Sequence, residues 1–266
     1  ELGEFEVSVW GRTYQWKDSL FPVQISSAGE DLLAGPIELL EVASPSGQMK
    51  LTGRPNPARV KVTATSSTRA VVECEGMIGA TQVRARHLLE YDGMCLTQLE
   101  VLPPAQLGGL SLCIPFKPEQ STLYHRFCYG GTVRGSENRG RGVGLKGMAD
   151  LGFPNTFWLG NEDRGLTWFA ENAAGWRLGK ALSPVSVFAN EQNTLLIARF
   201  AEGPVALDAP MKLTFGVIAT PVKKLRDNWR FLRVKRDWSY DWFMSFTPSN
   251  NYITHVKPTW KEYLDK

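Results

Sequence analysis

Residues 82–101 have the sequence QVRARHLLEYDGMCLTQLEV, and they contain a β-hairpin whose register follows from the residues alone. A three-residue loop of Tyr91, Asp92 and Gly93 places Gly93 at the left-handed position that such loops require. The predicted pairs are Leu89–Cys95, His87–Thr97, Ala85–Leu99 and Val83–Val101 on one face, and Arg84–Glu100 and Arg86–Gln98 on the other. A two-residue loop would mix apolar with charged side chains on both faces. Because a slip of one residue inverts every side chain, the three-residue loop is favoured.

The same alternation of period two continues along most of the chain. It recurs in ARVKVTA (58–64), RAVVECE (69–75), GLSLCIPF (109–116), TLLIARF (194–200) and KLTFGVIAT (212–220). Helical spacing is nearly absent before residue 221. We therefore expect an all-β, antiparallel two-sheet sandwich over residues 1–220, which could be as large as a supersandwich.

Residues 221–266 have a different character, because they are rich in aromatic residues without clean alternation. Thr259 and Glu262 form a capping-box signature for a helix that begins at Trp260. The sequence ends at Lys266, well short of the roughly 12 to 15 residues that an isolated helix needs. We expect this part of the chain to be a connector and aromatic tail that leads into a further domain.

The composition is that of a globular protein, with 43% hydrophobic and 21% charged residues among 266. A net charge of +3 and two short basic clusters, at 139–142 and 230–236, argue against nucleic acid as a partner. No run approaches the roughly 18 apolar residues of a membrane span. The first residues lack a signal-peptide pattern, which leaves the compartment open: secreted or periplasmic if a leader has been removed, and cytoplasmic otherwise.

Neither a metal nor a cofactor is predicted. The 4 cysteines form no CxxC pair and have no histidine at metal-ligand spacing. Buried thiols are the favoured interpretation of Cys74 and Cys95, with a disulfide left open. Gly142, Gly144 and Gly147 have a GxGxxG-like spacing, but MADLGFPN follows them where a phosphate-binding motif needs a helix, so a surface loop is favoured.

A second hairpin is predicted around the sequence GNEDRGLTWFAENAAGW, residues 160–176. Both faces of its first strand are apolar, so we expect something to cover the second face. The candidate residues for a carbohydrate site or a domain interface are Trp158, Trp168, Phe169, Glu171 and Trp176. Core or interface packing is the favoured role of Trp168 and Trp176, ahead of stacking on a sugar ring. Glu162 and Asp163 are expected to be ordinary turn carboxylates rather than an acid/base pair.

The histidines give weak signals for catalysis. His87 lies on the apolar face of the first hairpin opposite Thr97, which predicts a hydrogen-bonded core histidine. His125 and Cys128 are three residues apart, which puts them on opposite faces of a strand. No catalytic residue is predicted.

Five segments together resemble the N-terminal β-sandwich region of glycoside hydrolase family 123 and related proteins. They are VWGRTYQWKDSLFPVQISSAGEDLLAGPIEL (9–39), LLEYDGMCLTQLEVLP (88–103), LSLCIPFKPE (110–119), GLTWFAENAAGW (165–176) and FGVIATPVKKL (215–225). In that family a β-sandwich precedes a (β/α)₈ barrel, and the characterised members are β-N-acetylgalactosaminidases that use a neighbouring Asp and Glu in the barrel. The resemblance implies that the catalytic carboxylates lie beyond Lys266, in a downstream domain that this sandwich supports.

Two alternatives stay open. The chain could be an autonomous carbohydrate-binding module that uses Trp168, Trp176 and nearby polar residues. It could also be a sandwich-fold polysaccharide lyase or epimerase, which would need residues such as Arg84, Arg86, His87 and Tyr124 to converge.

Overall fold

The structure is a computed structural model, and it describes residues 4–43, 50–53, 57–127, 139–143, 147–180 and 182–222. The chain divides into two units, residues 1–224 and 225–266, and the second lies outside the described residues. The aromatic tail and the helix predicted to begin at Trp260 therefore stay predictions.

Strands make up most of the described residues, and the helical structure among them is one 3-10 turn at Pro118–Gln120. The strands are β1 (Glu4–Val9), β2 (Arg12–Lys17), β3 (Gln24–Ser27), β4 (Glu30–Asp31), β5 (Glu38–Ala43), β6 (Lys50–Gly53), β7 (Arg59–Thr65), β8 (Arg69–Ile78), β9 (Thr81–Glu90), β10 (Met94–Val101), β11 (Ala105–Leu107), β12 (Leu110–Phe116), β13 (Leu123–Phe127), β14 (Arg139–Val143), β15 (Gly147–Gly152), β16 (Thr156–Gly160), β17 (Gly165–Phe169), β18 (Val185–Ala189), β19 (Thr194–Ala201), β20 (Val205–Leu207) and β21 (Met211–Thr220).

The strands form two large antiparallel sheets and two small ones. The nine-stranded sheet has the order β14-β13-β16-β17-β21-β10-β9-β8-β7, and the six-stranded sheet has the order β15-β18-β19-β12-β5-β6. Strands β1 to β4 form the N-terminal sheet, and β11 pairs with β20. The all-β antiparallel sandwich predicted from the sequence is confirmed.

The β9–β10 hairpin has the predicted register. Leu89 pairs with Cys95 and His87 with Thr97, while Arg84 pairs with Glu100 on the opposite face. Gly93 has φ +81°, the left-handed conformation that the three-residue loop requires.

The inner face of the nine-stranded sheet packs against the six-stranded sheet. Phe215 of β21 and Phe200 of β19 bring their ring centroids to 5.1 Å across the interface. Trp176 follows β17 and meets Phe200 edge-to-face at 4.9 Å. Each fully buried large apolar side chain stabilises the fold by about 1.5 to 3 kcal/mol, so this layer holds the sandwich together.

The N-terminal sheet also packs on the inner face, over β8 to β10. Trp16 of β2 lies 5.4 Å from the His87 ring, and Phe21 of the following loop lies 5.5 Å from it on another side. The inner face is therefore covered by two sheets, and the outer face is the surface on which a site can be built.

The favoured interpretation of Cys74 and Cys95 as buried thiols is confirmed, and Cys113 is also free and buried. Burial raises the pKa of Cys95 and of Cys113 to about 12; Cys128 lies outside the described residues. A strand, β15, begins at Gly147 of the glycine-rich segment, so the helix of a phosphate-binding motif does not follow it. Within the described part of the chain, no helix is long and apolar enough to cross a membrane.

Candidate functional site

One end of the outer face of the nine-stranded sheet is charged. The ion pairs there are Arg84–Glu75 at 2.8 Å, Arg86–Glu73 at 3.9 Å and Lys212–Glu100 at 2.9 Å. These side chains are about one third to three quarters exposed. Exposed pairs of this kind contribute about 0 to 1 kcal/mol each, so this end is an ordinary solvated surface.

The other end of the outer face is apolar and aromatic. Strand register aligns Trp158, Thr167 and Ile218 across β16, β17 and β21. A second row aligns Phe169 and Leu96 on either side of Gly216. The side chains in these rows are partly exposed. We call Trp158, Thr167, Phe169, Ile218 and Leu96 the aromatic platform.

The Trp158 side chain lies across two glycines at the end of its hairpin. A β-carbon at Gly160 would stand 2.3 Å from Trp158 Cζ2, and one at Gly165 would stand 2.6 Å from Trp158 Nε1. The indole N–H donates to Thr220 Oγ1 at 3.0 Å, and that hydroxyl donates to the Gly165 carbonyl at 3.2 Å. The indole ring is therefore held against the backbone of Gly160 and Gly165, while part of it stays exposed.

Phe169 is held in the same way on the neighbouring strand. A β-carbon at Gly216 would stand 2.3 Å from Phe169 Cζ and 2.9 Å from the Cys95 carbonyl oxygen. The ring thus fills the space that a side chain at residue 216 would take. Two aromatic side chains on three glycines give the platform a fixed shape, which is what a binding surface needs to limit the entropy lost on association.

The turn between β16 and β17 carries Glu162 and Asp163 at an exposed tip. Asn161 organises it: its side-chain oxygen accepts from the backbone N–H groups of Asp163 and Arg164, each at 3.0 Å. The Asn161 amide also donates to Gln120 Oε1 at 2.9 Å. The two carboxylates lie on a solvated turn, as the sequence predicts.

The five candidate residues do not lie together. Trp168 and Trp176 are 1% and 7% exposed, and their rings meet edge-to-face in the core with centroids 6.4 Å apart. Trp158 and Phe169 lie on the platform, and Glu171 is exposed just beyond the end of β17. A surface role is thereby restricted to Trp158, Phe169 and Glu171.

His87 is the buried histidine that the sequence predicts. Its Nε2 lies 2.8 Å from the Leu20 carbonyl oxygen, which can only accept, so Nε2 carries the proton. Nδ1 therefore accepts from the Thr97 hydroxyl at 2.9 Å. Burial lowers the pKa of His87 to about 4, so the ring is neutral and both nitrogens are engaged in structure.

The residues that a lyase or epimerase would need are on different faces. Arg84 and Arg86 lie on the outer face, whereas His87 and Tyr124 lie on the inner face, where Tyr124 stacks on Phe157 with centroids 6.3 Å apart. His125 is the titratable neighbour of the platform, since it pairs with Trp158 across β13 and β16. Among the residues that the structure describes, no group of His, Cys, Asp and Glu could hold a metal ion.

The sequence predicts the strands that contain Trp158 and Phe169, but it does not reveal that both rings pack against glycines. The signal was present in part, because Gly160 and Gly165 flank the turn in the sequence. Gly216 is distant in the chain from Phe169, and only the β17–β21 pairing brings them together.

No family model and no curated protein sequence matches the chain. Among solved structures, it is similar to a putative aldose 1-epimerase from Escherichia coli K12, with a TM-score of 0.50 and 10% identity over 82% of this chain and 99% of that one. It is equally similar to a galactose 1-epimerase from Lactobacillus acidophilus NCFM, with a TM-score of 0.50 and 10% identity over 82% of this chain and 94% of that one. At this identity the likeness establishes a sandwich fold found in carbohydrate-active proteins, and it does not assign an activity.

Proposed function

We propose that this chain is the non-catalytic N-terminal β-sandwich domain of a carbohydrate-active enzyme, a glycoside hydrolase similar to β-N-acetylgalactosaminidases. Its role is to support a downstream catalytic barrel of the same polypeptide. The observation that carries the proposal is the aromatic platform, a fixed apolar surface at one end of an otherwise solvated face.

The division of the outer face supports docking of a domain. The charged end, with Arg84 and Lys212, holds solvated ion pairs that would lose hydration if they were covered. Burial of the platform, with Trp158 and Phe169, would instead contribute a favourable free energy of about 25 cal/mol per Å² of apolar area. A partner domain seated on the platform and leaving the charged end in water satisfies both requirements.

The state of the described titratable groups supports a non-catalytic role. Of the two histidines that the structure describes, His87 is the buried one, and it is neutral with both nitrogens engaged. Arg84 and Arg86 are paired on a different face from His87 and Tyr124. Glu162 and Asp163 lie at the exposed tip of a turn, so a hydrolase of this kind needs catalytic carboxylates from elsewhere, which agrees with the resemblance to family 123.

A hydrolysis assay tests the proposal. The 266-residue chain is compared with a form extended past Lys266 to the end of the reading frame, both on aryl β-N-acetylhexosaminides and on mixed glycans with detection by mass spectrometry. We expect cleavage by the extended form alone. Cleavage by the short form, or by neither, contradicts the proposal.

A sugar epimerase is the second candidate, because the fold matches 99% and 94% of the two epimerase chains. Polarimetry with freshly dissolved α-D-galactose separates the candidates. An epimerase accelerates mutarotation in the 266-residue form, whereas a support domain leaves the rate at that of buffer. An autonomous binding module would also leave the mutarotation rate at that of buffer, but it would bind glycan without a downstream domain.

A further inference from the structure

A second exposed aromatic surface lies where the β1–β2 turn meets the β9–β10 turn. Trp10 is 60% exposed and Tyr91 is 53% exposed. Their rings meet edge-to-face, with centroids 5.9 Å apart and an interplanar angle of 79°. Neither residue belongs to the aromatic platform. We call this pair the aromatic tip.

A buried arginine joins the two turns of the tip. Arg12 is 1% exposed, and its Nε donates to the Val9 carbonyl at 3.2 Å, next to Trp10. Its Nη1 donates to the Asp92 carbonyl, next to Tyr91, and to the Ala219 carbonyl at 3.4 Å. One guanidinium therefore sets the position of both aromatic residues.

Further hydrogen bonds fix the same end of the sandwich. The Tyr14 hydroxyl donates to the Gly93 carbonyl at 2.5 Å and accepts from the Ala219 N–H at 3.2 Å. The Ala28 N–H donates to the Gly11 carbonyl at 2.8 Å. The tip is thus a rigid feature, in which two exposed rings stand on a buried polar network.

The backbone at Trp10 is held in a conformation that side chains disfavour. Trp10 has φ +43°, in the left-handed region where glycine or asparagine is usual. A bulky aromatic residue at such a turn lowers stability, and strained positions of this kind cluster at functional sites. The exposure of the ring gives it no core-packing role that would offset this strain.

The two charged side chains next to the tip, Arg12 and Asp92, are hydrogen-bonded to the backbone. The Arg12 guanidinium is engaged by backbone carbonyls, and Asp92 Oδ1 accepts from the Met94 N–H at 3.0 Å. The most exposed side chains of the tip are two uncharged rings, each with an apolar face and a polar N–H or O–H. This chemistry suits the C–H face and the hydroxyls of a neutral sugar better than an anion or a basic peptide.

The tip lies at the same end of the sheet as Trp158. Thr220 accepts from the Trp158 indole through its hydroxyl, and its carbonyl accepts from Ser27 Oγ at 2.8 Å. The adjacent Ala219 carbonyl accepts from Arg12. Three strand spacings separate β16 from β10, which is roughly 15 Å. The tip is therefore close to the platform on which the downstream domain is proposed to sit.

We infer that Trp10 and Tyr91 form a binding site for a neutral glycan chain, beside the domain that would cleave it. The choice of ligand class rests on the proposed function, while the site itself rests on the exposed pair, its Arg12 clamp and the backbone conformation of Trp10. The tip would hold sugar units of a polymeric substrate distant from the bond that is cleaved.

Glycan binding by the 266-residue chain tests the inference. Maltotriose, cellotriose, mannotriose, galactotriose and triacetylchitotriose are titrated in turn, with saturation-transfer-difference NMR and calorimetry as readouts. The variants are Trp10→Gly, which suits the left-handed backbone and should fold, and Tyr91→Ala. The matched control is Met148→Ala, since Met148 is also 53% exposed but lies on β15 of the six-stranded sheet.

We expect the unsubstituted chain and Met148→Ala to bind at least one trisaccharide with the same Kd. Trp10→Gly and Tyr91→Ala should each weaken that binding by about tenfold or more, the effect of losing one stacking ring. The inference is overturned if no trisaccharide binds the unsubstituted chain, or if both tip variants bind as tightly as it does. This result is independent of the hydrolysis assay. The tip can bind glycan even if the extended form does not cleave, and the extended form can cleave even if the tip does not bind glycan.

Discussion

The guanidinium of Arg12 lies directly against Gly93, so a β-carbon at residue 93 would stand only 2.8 Å from Arg12 Cζ. Gly93 also has φ +81°. The turn that carries Tyr91 therefore depends on glycine for two reasons, its backbone conformation and the space that Arg12 occupies. The two contributions can be measured separately, because Gly29 has the same backbone conformation but no side chain close to it.

Gly93→Ala is expected to lower the free energy of unfolding by about 2 to 4 kcal/mol, from left-handed strain together with displacement of Arg12. Gly29→Ala is the matched control: Gly29 has φ +82°, but a β-carbon there would meet nothing within 4 Å. The control should lose only about 1 to 2 kcal/mol. Urea unfolding measures both, and equal losses would show that the Arg12 contact contributes nothing.

His87 is expected to make stability depend on pH. Its pKa is about 4 in the folded protein against 6.5 for an unperturbed histidine. The unfolded chain therefore binds a proton more readily, and the stability that the neutral ring contributes is present above pH 6.5 and is lost as the pH falls towards 4. The full effect is roughly 3 kcal/mol.

The measurement is the unfolding free energy of the natural sequence and of His87→Gln at pH 7 and at pH 4.5. His87→Gln should be less stable at pH 7 because it disturbs the bonds to Thr97 and Leu20. It should, however, lose less stability on acidification. Parallel pH profiles for the two proteins would refute the assignment of a neutral, buried His87.

The register of β9 and β10 could be derived from the sequence because one face of each strand is apolar, the other face carries Arg84, Arg86 and Glu100, and Gly93 fixes the loop. The order of the nine-stranded sheet could not, since it depends on pairings such as Gln98 with Thr214 between distant parts of the chain. Alternation along β17 also predicts that Trp168 and Phe169 lie on opposite faces of the sheet. It does not predict which of the two faces the six-stranded sheet covers.

The aromatic tip cannot be read from the sequence for a related reason. Arg12, Tyr14 and Trp16 alternate along β2, so the sequence contained a signal that Arg12 shares the buried face. An arginine is seldom fully buried, and its partners, the Asp92 and Ala219 carbonyls, belong to backbone that no side-chain pattern reveals. The contact between Trp10 and Tyr91 joins turns of two different sheets, so only the tertiary structure reveals it.

The buried thiols are expected to be unreactive until the chain unfolds. Burial raises the pKa of Cys74, Cys95 and Cys113 well above that of a free thiol, so the reactive thiolate is scarce at pH 8. In a Cys128→Ser background, Ellman's reagent should react with none of them in buffer and with all of them in urea. Rapid reaction of any one in buffer would contradict its placement in the core.

The contact of Phe169 with Gly216 can be measured by a double-mutant cycle. Gly216→Ala is expected to destabilise the protein by about 1 to 3 kcal/mol, because the new methyl group displaces the Phe169 ring. Phe169→Ala removes the ring. In that background, Gly216→Ala should lower the free energy of unfolding by less than it does in the unsubstituted chain. Additive losses would mean that the two residues do not share this space.

The aromatic platform should make the 266-residue chain associate with itself when no other domain covers it. An exposed apolar patch of fixed shape favours self-association, and a charge placed within it opposes burial because the ammonium must be desolvated. Thr167→Lys, between Trp158 and Ile218, should therefore shift the chain towards monomer in sedimentation-velocity experiments. Thr214→Lys provides the control, because Thr214 lies on the same outer face but next to Gln98, outside the platform. If the unsubstituted chain is monomeric at every concentration, or if both lysines act equally, the platform is not an interface and the support role loses its main evidence.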